Sequence, residues 1–281
     1  MREWLDSLPG FLGAAALRRV VASTVAARRA DRPVVWAMGA HVIKVGCSPV
    51  VIDLIDRDVV SGIVLHGAGA VHDVEIATCG ATSEDVAETI RHGTFGMVRE
   101  TAAIFEEALA GEAARLGLGK AVGRWLCEHR PPHLAHSVLA AAYRKGIPVT
   151  VHVALGTDTV HVLDRSDGSA IGRAAMLDFR TVCAVVADLG ATDGSPAGGV
   201  WYNIGSAVVL PEVFLKAVSA ARNLGADLDA MVTVNLDMIR HYRPSVNVLQ
   251  RPVRPGNGLE VCGHHEILLP LLRQALIEGL G

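Results

Sequence analysis

Aromatic side chains are scarce in this chain, at 4% of residues, although 51% are hydrophobic. Ala, Val, Leu and Gly carry the apolar count instead. That is the profile of a layered α/β protein whose parallel strands are buried on both faces. The five cysteines, Cys47, Cys79, Cys127, Cys183 and Cys262, contain no Cys-x-x-Cys pair. They offer no disulfide framework, so free thiols and a cytoplasmic location are expected. Nothing basic is clustered strongly enough to point to nucleic acid, and the net charge is −3. The arginine-richest stretch, LRRVVASTVAARRADR, sets its charges mostly along one side of an amphipathic helix, which reads as a solvated face. No run reaches the roughly 18–20 uninterrupted apolar residues of a membrane span. The opening MREWLDSLPGFLGAAALRRV has an acid and a proline ahead of its apolar run, unlike a signal peptide. No internal repeat and no low-complexity segment is present.

What is there alternates regularly. Residues 14–30 have helical periodicity, and Asp31-Arg32-Pro33 ends it. VVWAM (34–38) is a buried strand by length and branching. GAHVIKVGCSPVVIDLIDRD then runs through a loop into a helix, with Pro49 in its first turn. SGIVLHG is a second strand. TSEDVAETIRHG predicts a helix capped by Thr82 or Ser83 and closed at Gly93. Residues 94–145 read as helical, with breaks near Gly117–Gly119 and at Pro131-Pro132. GIPVTVHVALG is a third strand, 175–189 a helix, GGVWYNIGSA a fourth strand and PEVFLKAVSAARNLG its helix. AMVTVN is a fifth strand. A long polar loop follows, then LEVCGHHE and a last helix containing Pro270. Recurring strand, turn and helix predict a doubly wound parallel sheet, Rossmann-like in plan. Ligands in such sheets sit beyond the carboxyl ends of the strands. The polar segments fall there: 39–44, 66–75, 156–161, 203–206, 235–237 and 264–266.

The stretch VLHGAGAVHDVEIA concentrates the chemistry. GAGA (67–70) and IGSA (204–207) are small enough to cradle a dinucleotide diphosphate, or simply to pack strand against helix; neither is a Gly-x-Gly-x-x-Gly. His72, Asp73 and Glu75 directly follow a buried strand, where unpaired polar groups are costly. His72 can move a proton near neutral pH. Asp73 can orient an imidazole or a ribose, or cap a helix. His66, His72 and Asp73, or His264-His265-Glu266, are rival metal ligands. Adjacent histidines on extended backbone diverge, however, and no His-x-His or His-Glu-x-x-His pair exists, so no metal is expected. Ser206 lacks a Gly-x-Ser-x-Gly elbow, which disfavours a hydrolase.

The order of these motifs resembles the deoxyhypusine synthase family over residues 30–275. GAHVIKVGCSPVVIDLIDRDVVSGIVLHGAGAVHDVEIA is similar to that family's polar turn, helix, strand and TAGG-x-EED. PPHLAHSVLAAAYRKGIPVTVHVALGTDTV resembles its PES helix and TDGS strand end. GGVWYNIGSAV stands in the place of ILGGG, and VCGHHEILLPLL parallels YADASLVFPLL. The resemblance implies a Rossmann-like domain over 1–281, with 1–30 an added helical segment. It also implies bound NAD and a homotetramer with sites near subunit interfaces. Carried over by position, Gly39, His41 and Lys44 match the first NAD-contacting turn, and His66, Gly67, Ala68 and Gly69 the second. Asp73 falls on its last acid and Asp158 in the TDGS region. Gly205 and Ser206 match the glycine turn, Leu236 and Asp237 the turn after the fifth strand, and His264 and His265 the final nucleotide-binding segment.

The departures define the expected chemistry. The family's Trp-Gly-Lys lysine has no counterpart in PSVNVLQRP, and a Schiff-base nucleophile needs an amine. Pro211-Glu212 stands where the family has a histidine, and basic IRHYRP replaces the acids that hold a polyamine. Deoxyhypusine synthesis is therefore not expected. The expectation is an NAD-dependent enzyme that abstracts hydride from a small polar metabolite: an amine, amino acid or polyol. His72 is assigned proton transfer, Asp73 its orientation or the ribose, Glu212 the substrate, and Lys44 a phosphate or carboxylate. AVHDVE also resembles a segment of the archaeal NAD-dependent ornithine cyclodeaminases, making amino-acid deamination the second chemistry. A non-catalytic nucleotide-binding scaffold is the third reading. Arg240, Arg243, Arg251 and Arg254, with His241, point either to a loop that meets an anionic or polyhydroxylated ligand or to a surface or intersubunit loop.

Overall fold

The computed structural model describes residues 6–82, 84–190 and 197–281. Strand β1 (Val34–Met38) is buried at every position. Successive side chains leave a strand on opposite faces. Val34, Trp36 and Met38 therefore enter one core, and Val35 and Ala37 the other. Strands β2 (Gly62–His66), β3 (Val149–His152), β4 (Val200–Ile204), β5 (Val232–Asp237) and β6 (Gly258–Cys262) complete one sheet in the order β3-β2-β1-β4-β5-β6. Every pairing is parallel. The order reverses between β1 and β4, which makes their carboxyl ends the switch point of the sheet.

Helices cover both faces. On one lie α1 (Leu12–Arg29), α3 (Ser48–Asp56), α4 (Gly67–Cys79), α6 (Arg99–Ala108), α7 (Leu118–His129), α8 (Val138–Lys145) and α12 (His265–Leu280). On the other, α9 (Gly168–Ala187) and α10 (Val209–Asn223) pack on Val35 and Trp201. Short helices α2 (Ala40–Lys44), α5 (Val86–Thr89) and α11 (Tyr242–Asn247) lie in the connections. Trp36 packs on Tyr202 at 5.6 Å between ring centres, and the Tyr202 hydroxyl meets Thr24 Oγ1 at 2.5 Å. Helix α1 also closes on α12: Arg29 donates to the Gly279 carbonyl at 2.8 Å, and Val25 lies so close to Gly279 that a methyl group there would stand 2.7 Å from it. Among the described residues no helix is long and apolar enough to cross a membrane.

Four elements differ from the sequence reading. Helix α5 is capped by Asp85, which accepts the Glu88 N–H at 3.2 Å, and not by Thr82. The Thr82 hydroxyl is engaged by Glu75 and His72 instead; Ser83 lies outside the described residues. Helix α9 starts at Gly168, ahead of the expected residue 175, because Asp167 accepts the N–H groups of Ser169 and Ala170 at 2.8 and 3.1 Å. GLEVC forms a sixth strand at the sheet edge, and the polar loop contains α11.

Candidate functional site

The register aligns Met38 with Ile204, so Gly39 and Gly205 leave the sheet side by side. The Gly39 N–H donates to the Ile204 carbonyl at 2.8 Å, and the Gly205 N–H to that of Leu236 at 2.9 Å. A Cβ on Gly39 would stand 2.0 Å from the Gly205 oxygen. Gly205 has φ +63°, and a Cβ there would stand 2.7 Å from the ring of His265. Only glycine suits either position. Ser206 follows, buried, its Oγ accepting the Leu210 N–H at 3.3 Å near the start of α10. Asn203 fixes that turn by donating to the Ser206 carbonyl at 2.9 Å and to Asn235 Oδ1 at 2.8 Å.

Three imidazoles gather on this rim. His265, fully buried at the start of α12, donates from Nε2 to the Leu236 carbonyl at 3.3 Å, and its Nδ1 lies 3.0 Å from His41 Nδ1. Burial pushes its pKa down, while the Leu236 carbonyl and Asp237 pull it the other way. His66, at the end of β2, accepts the Ala40 N–H on Nε2 at 3.3 Å. Burial, and then the nearby His72, hold its pKa below the usual histidine value. Asp237 is buried, accepts the Met238 N–H at 2.7 Å and faces His241 at 3.9 Å. Gly39, His41, His66, Gly205, Ser206, Asp237 and His265 thus come together. His264 stands just outside, exposed beside Glu266.

A second cluster borders the first. Asp158 lies against Gly67, where a Cβ would meet its Oδ2 at 1.8 Å. The carboxylate is 7% exposed, its Oδ2 has no hydrogen-bond partner, and His161 Nε2 is 3.9 Å away. Burial pushes its pKa up; His161 and the Ala68 N–H oppose this. Asp158 and Gly67 line a cavity of about 680 Å³ whose walls include Phe105, Val153 and Val160, with Arg99 and Arg173 also lining it. Because the carboxylate sits at the start of α4, GAGA is not an open anion cradle. Gly69 packs on Leu65 and the Ala40 backbone.

The residues assigned to proton transfer are engaged by other partners. Asp73 does not orient His72. It is fully buried and accepts Ser137 Oγ at 2.6 Å and the N–H groups of Val138 and Leu139 at 2.7 and 3.2 Å. It anchors the start of α8, and burial raises its pKa to about 6 against those hydrogen bonds. Asp73→Ala should cost about 2–4 kcal/mol in urea unfolding, because buried donors lose their acceptor; a loss under about 1 kcal/mol would contradict this role. His72 donates from Nδ1 to Glu75 at 3.2 Å. Glu212 is held by Lys216, by Arg243 at 3.2 Å and by Asn247 at 2.9 Å. The Lys216 contact leads in holding its carboxyl below the usual range, which makes it a poor base. Lys44 is exposed at the end of α2. The four loop arginines are engaged within the chain, with Glu260, Glu212, Asn247 and Asp229. That favours the structural reading of the loop.

No family model and no curated protein matches this chain. Solved structures do. A conserved LOR/SDH protein of Methanococcus maripaludis superimposes with TM-score 0.60 at 13% identity, over 96% of this chain and 70% of that one. A protein of Entamoeba histolytica described as a deoxyhypusine synthase gives 0.56 at 11%, over 95% and 88%. AgrE, solved with ornithine and NAD+, gives 0.58 at 16%, over 93% of this chain. The chain has the deoxyhypusine synthase-like fold. It spans about a third of the length of AgrE, with 32% of that chain covered.

Within this deoxyhypusine synthase-like frame, two features carry no role in the sequence reading. His161 stands over Asp158, and Asn203 and Asn235 form a buried amide pair across β4 and β5. The asparagines were visible as polar residues inside apolar strand runs. His161 had no signal beyond lying in a rim segment.

Proposed function

We propose that the protein is an NAD-dependent enzyme that removes hydride from the C–H of an alcohol or amine carbon in a small polar metabolite. The observation that carries this is the gathering of Gly39, Gly205, Ser206, Asp237 and three imidazoles at the β1/β4 switch point, where dinucleotides bind in doubly wound sheets. Small-molecule sites typically measure about 300–1,000 Å³, and the adjoining cavity of about 680 Å³ fits that range. The unpartnered Asp158 Oδ2 suits a ribose hydroxyl, which would donate to it. With α4 already facing a carboxylate, the turn Gly205-Ser206 before α10 is the better diphosphate cradle. When bound, NAD+ supplies the hydride acceptor.

The chain's own residues do the rest. Gly39 and Gly205 keep the rim free of side chains. Asp237 offers a polar contact at the end of β5, on the side where we place substrate. AgrE was solved with ornithine, and that favours an amine or amino acid among the substrate classes. The missing lysine leaves no Schiff base, so transfer of an aminobutyl group is outside this reading. A homotetramer is part of the proposal by resemblance alone. Denaturing the purified protein should release NAD, seen by mass and by absorbance. If none is released and added NAD+ does not raise the melting temperature, the cofactor reading fails.

A further inference from the structure

The hydrogen bonds on the rim determine which nitrogen of each imidazole carries its proton. The Leu236 carbonyl can only accept, so His265 Nε2 bears hydrogen. A neutral ring has one N–H, and burial favours the neutral ring, so His265 Nδ1 is an acceptor. His41 Nδ1, 3.0 Å away, must then donate. The lone pair of His41 is left on Nε2, which has no hydrogen-bond partner among the described residues. His41 is half-buried, two residues beyond Gly39 at the switch point.

We propose that His41 Nε2 is the proton acceptor of the reaction, with His265 a positioning residue that holds it in the Nδ1–H form. This rests on the NAD-dependent reading. The balance is simple. The substrate C–H bond breaks and its hydride, with both electrons, reduces NAD+ to NADH. The substrate O–H or N–H bond breaks and its proton goes to His41 Nε2, while C=O or C=N forms. The resulting imidazolium keeps its Nδ1–H on His265. The charged groups facing the pair are Asp237 at the end of β5 and Glu266 on α12, with His241 beyond Asp237. Asp237, buried at the end of β5, favours positive charge on His265. His72, the residue assigned by sequence, lies on the second turn of α4 with its Nδ1 on Glu75.

Two measurements on the full chain test this. Nitrogen-15 imidazole spectra at about pH 7.5 should show His41 protonated on Nδ1 and His265 on Nε2. His265→Phe should release His41 to the mixed tautomers of a free imidazole, a change that lost packing alone would not produce. A His41 proton on Nε2 in the wild type overturns the proposal. Diethyl pyrocarbonate, which acylates an accessible unprotonated imidazole nitrogen, should label His41 and spare His265. NAD+ at about ten times its Kd should slow labelling of His41 about tenfold and leave exposed His92 unchanged. An unlabelled His41, or one that bound NAD+ does not protect, also overturns it. If NAD+ fails to bind while the tautomers are as expected, the cofactor reading has failed and the imidazole geometry stands.

Discussion

Asp178→Ala is expected to lower the unfolding free energy by about 3–5 kcal/mol, because buried N–H groups left without an acceptor cost about 1–3 kcal/mol each. Asp178 is 2% exposed on α9. Its Oδ2 accepts the Gly119 N–H at the start of α7 at 3.0 Å and the Val151 N–H of β3 at 2.8 Å. One carboxyl group thus joins two helices and a strand, and no other side chain replaces it. Urea unfolding measures the loss, and a value under about 1 kcal/mol would sink the account.

The same residue makes a pH prediction. Burial raises its pKa from 3.8 to about 7, against the pull of the N–H groups of Val151, Gly119 and Leu118. The native state then binds the proton more tightly than the unfolded chain, so this contribution is full below pH 3.8 and is lost as pH rises through about 7. His152 opposes it. Burial lowers that pKa to about 4, so its contribution is full above pH 6.5 and is lost as pH falls through about 4. The wild-type curve blends the two. The difference between wild type and Asp178→Asn isolates the first, and wild type should lose ground to the variant, by on the order of 4 kcal/mol, between about pH 4 and pH 8. A difference that grows with pH would contradict the assignment.

Gly39→Ala is the second large effect. The new methyl carbon would stand 2.0 Å from the Gly205 carbonyl oxygen and 3.3 Å from the Ser206 nitrogen. The obstruction is backbone, and the parallel register fixes both strands. Relief requires the ends of β1 and β4 to part, which weakens the Gly39–Ile204 hydrogen bond. The expected cost is about 3 kcal/mol or more, at the top of the range for overpacking, and under the proposed function NAD+ binding is lost with it. Gly172→Ala supplies the contrast. It lies within α9 with nothing near the added methyl, and should stabilise by about 0.5–1 kcal/mol. If both variants melt like wild type, the closeness of the two turns has no energetic weight.

Strands β1 to β5 were legible because burial on both faces makes them continuous apolar runs. Strand β6 was not, since an edge strand that alternates buried and partly exposed residues looks like loop. The rim was legible from the rule that ligands gather at strand ends, which groups Gly39, His66, Gly205 and His265, though it also groups Asp73, which anchors α8 instead, and His264, which is exposed. Roles within the rim were not legible. A carboxylate after a buried strand reads the same whether it meets a ligand or, like Asp73, the start of a helix far along the chain. Nor does a sequence carry the 3.0 Å spacing that sets the tautomer of His41.

The clasp of α1 on α12 has a kinetic side. Val25 cannot meet Gly279 until nearly the whole intervening chain has been laid down and ordered. Contacts between residues so remote in sequence slow folding, because chain entropy is lost before they form. During translation α1 emerges well before α12, with the surface that α12 covers exposed, and a chaperone that shields it should raise the yield of folded protein.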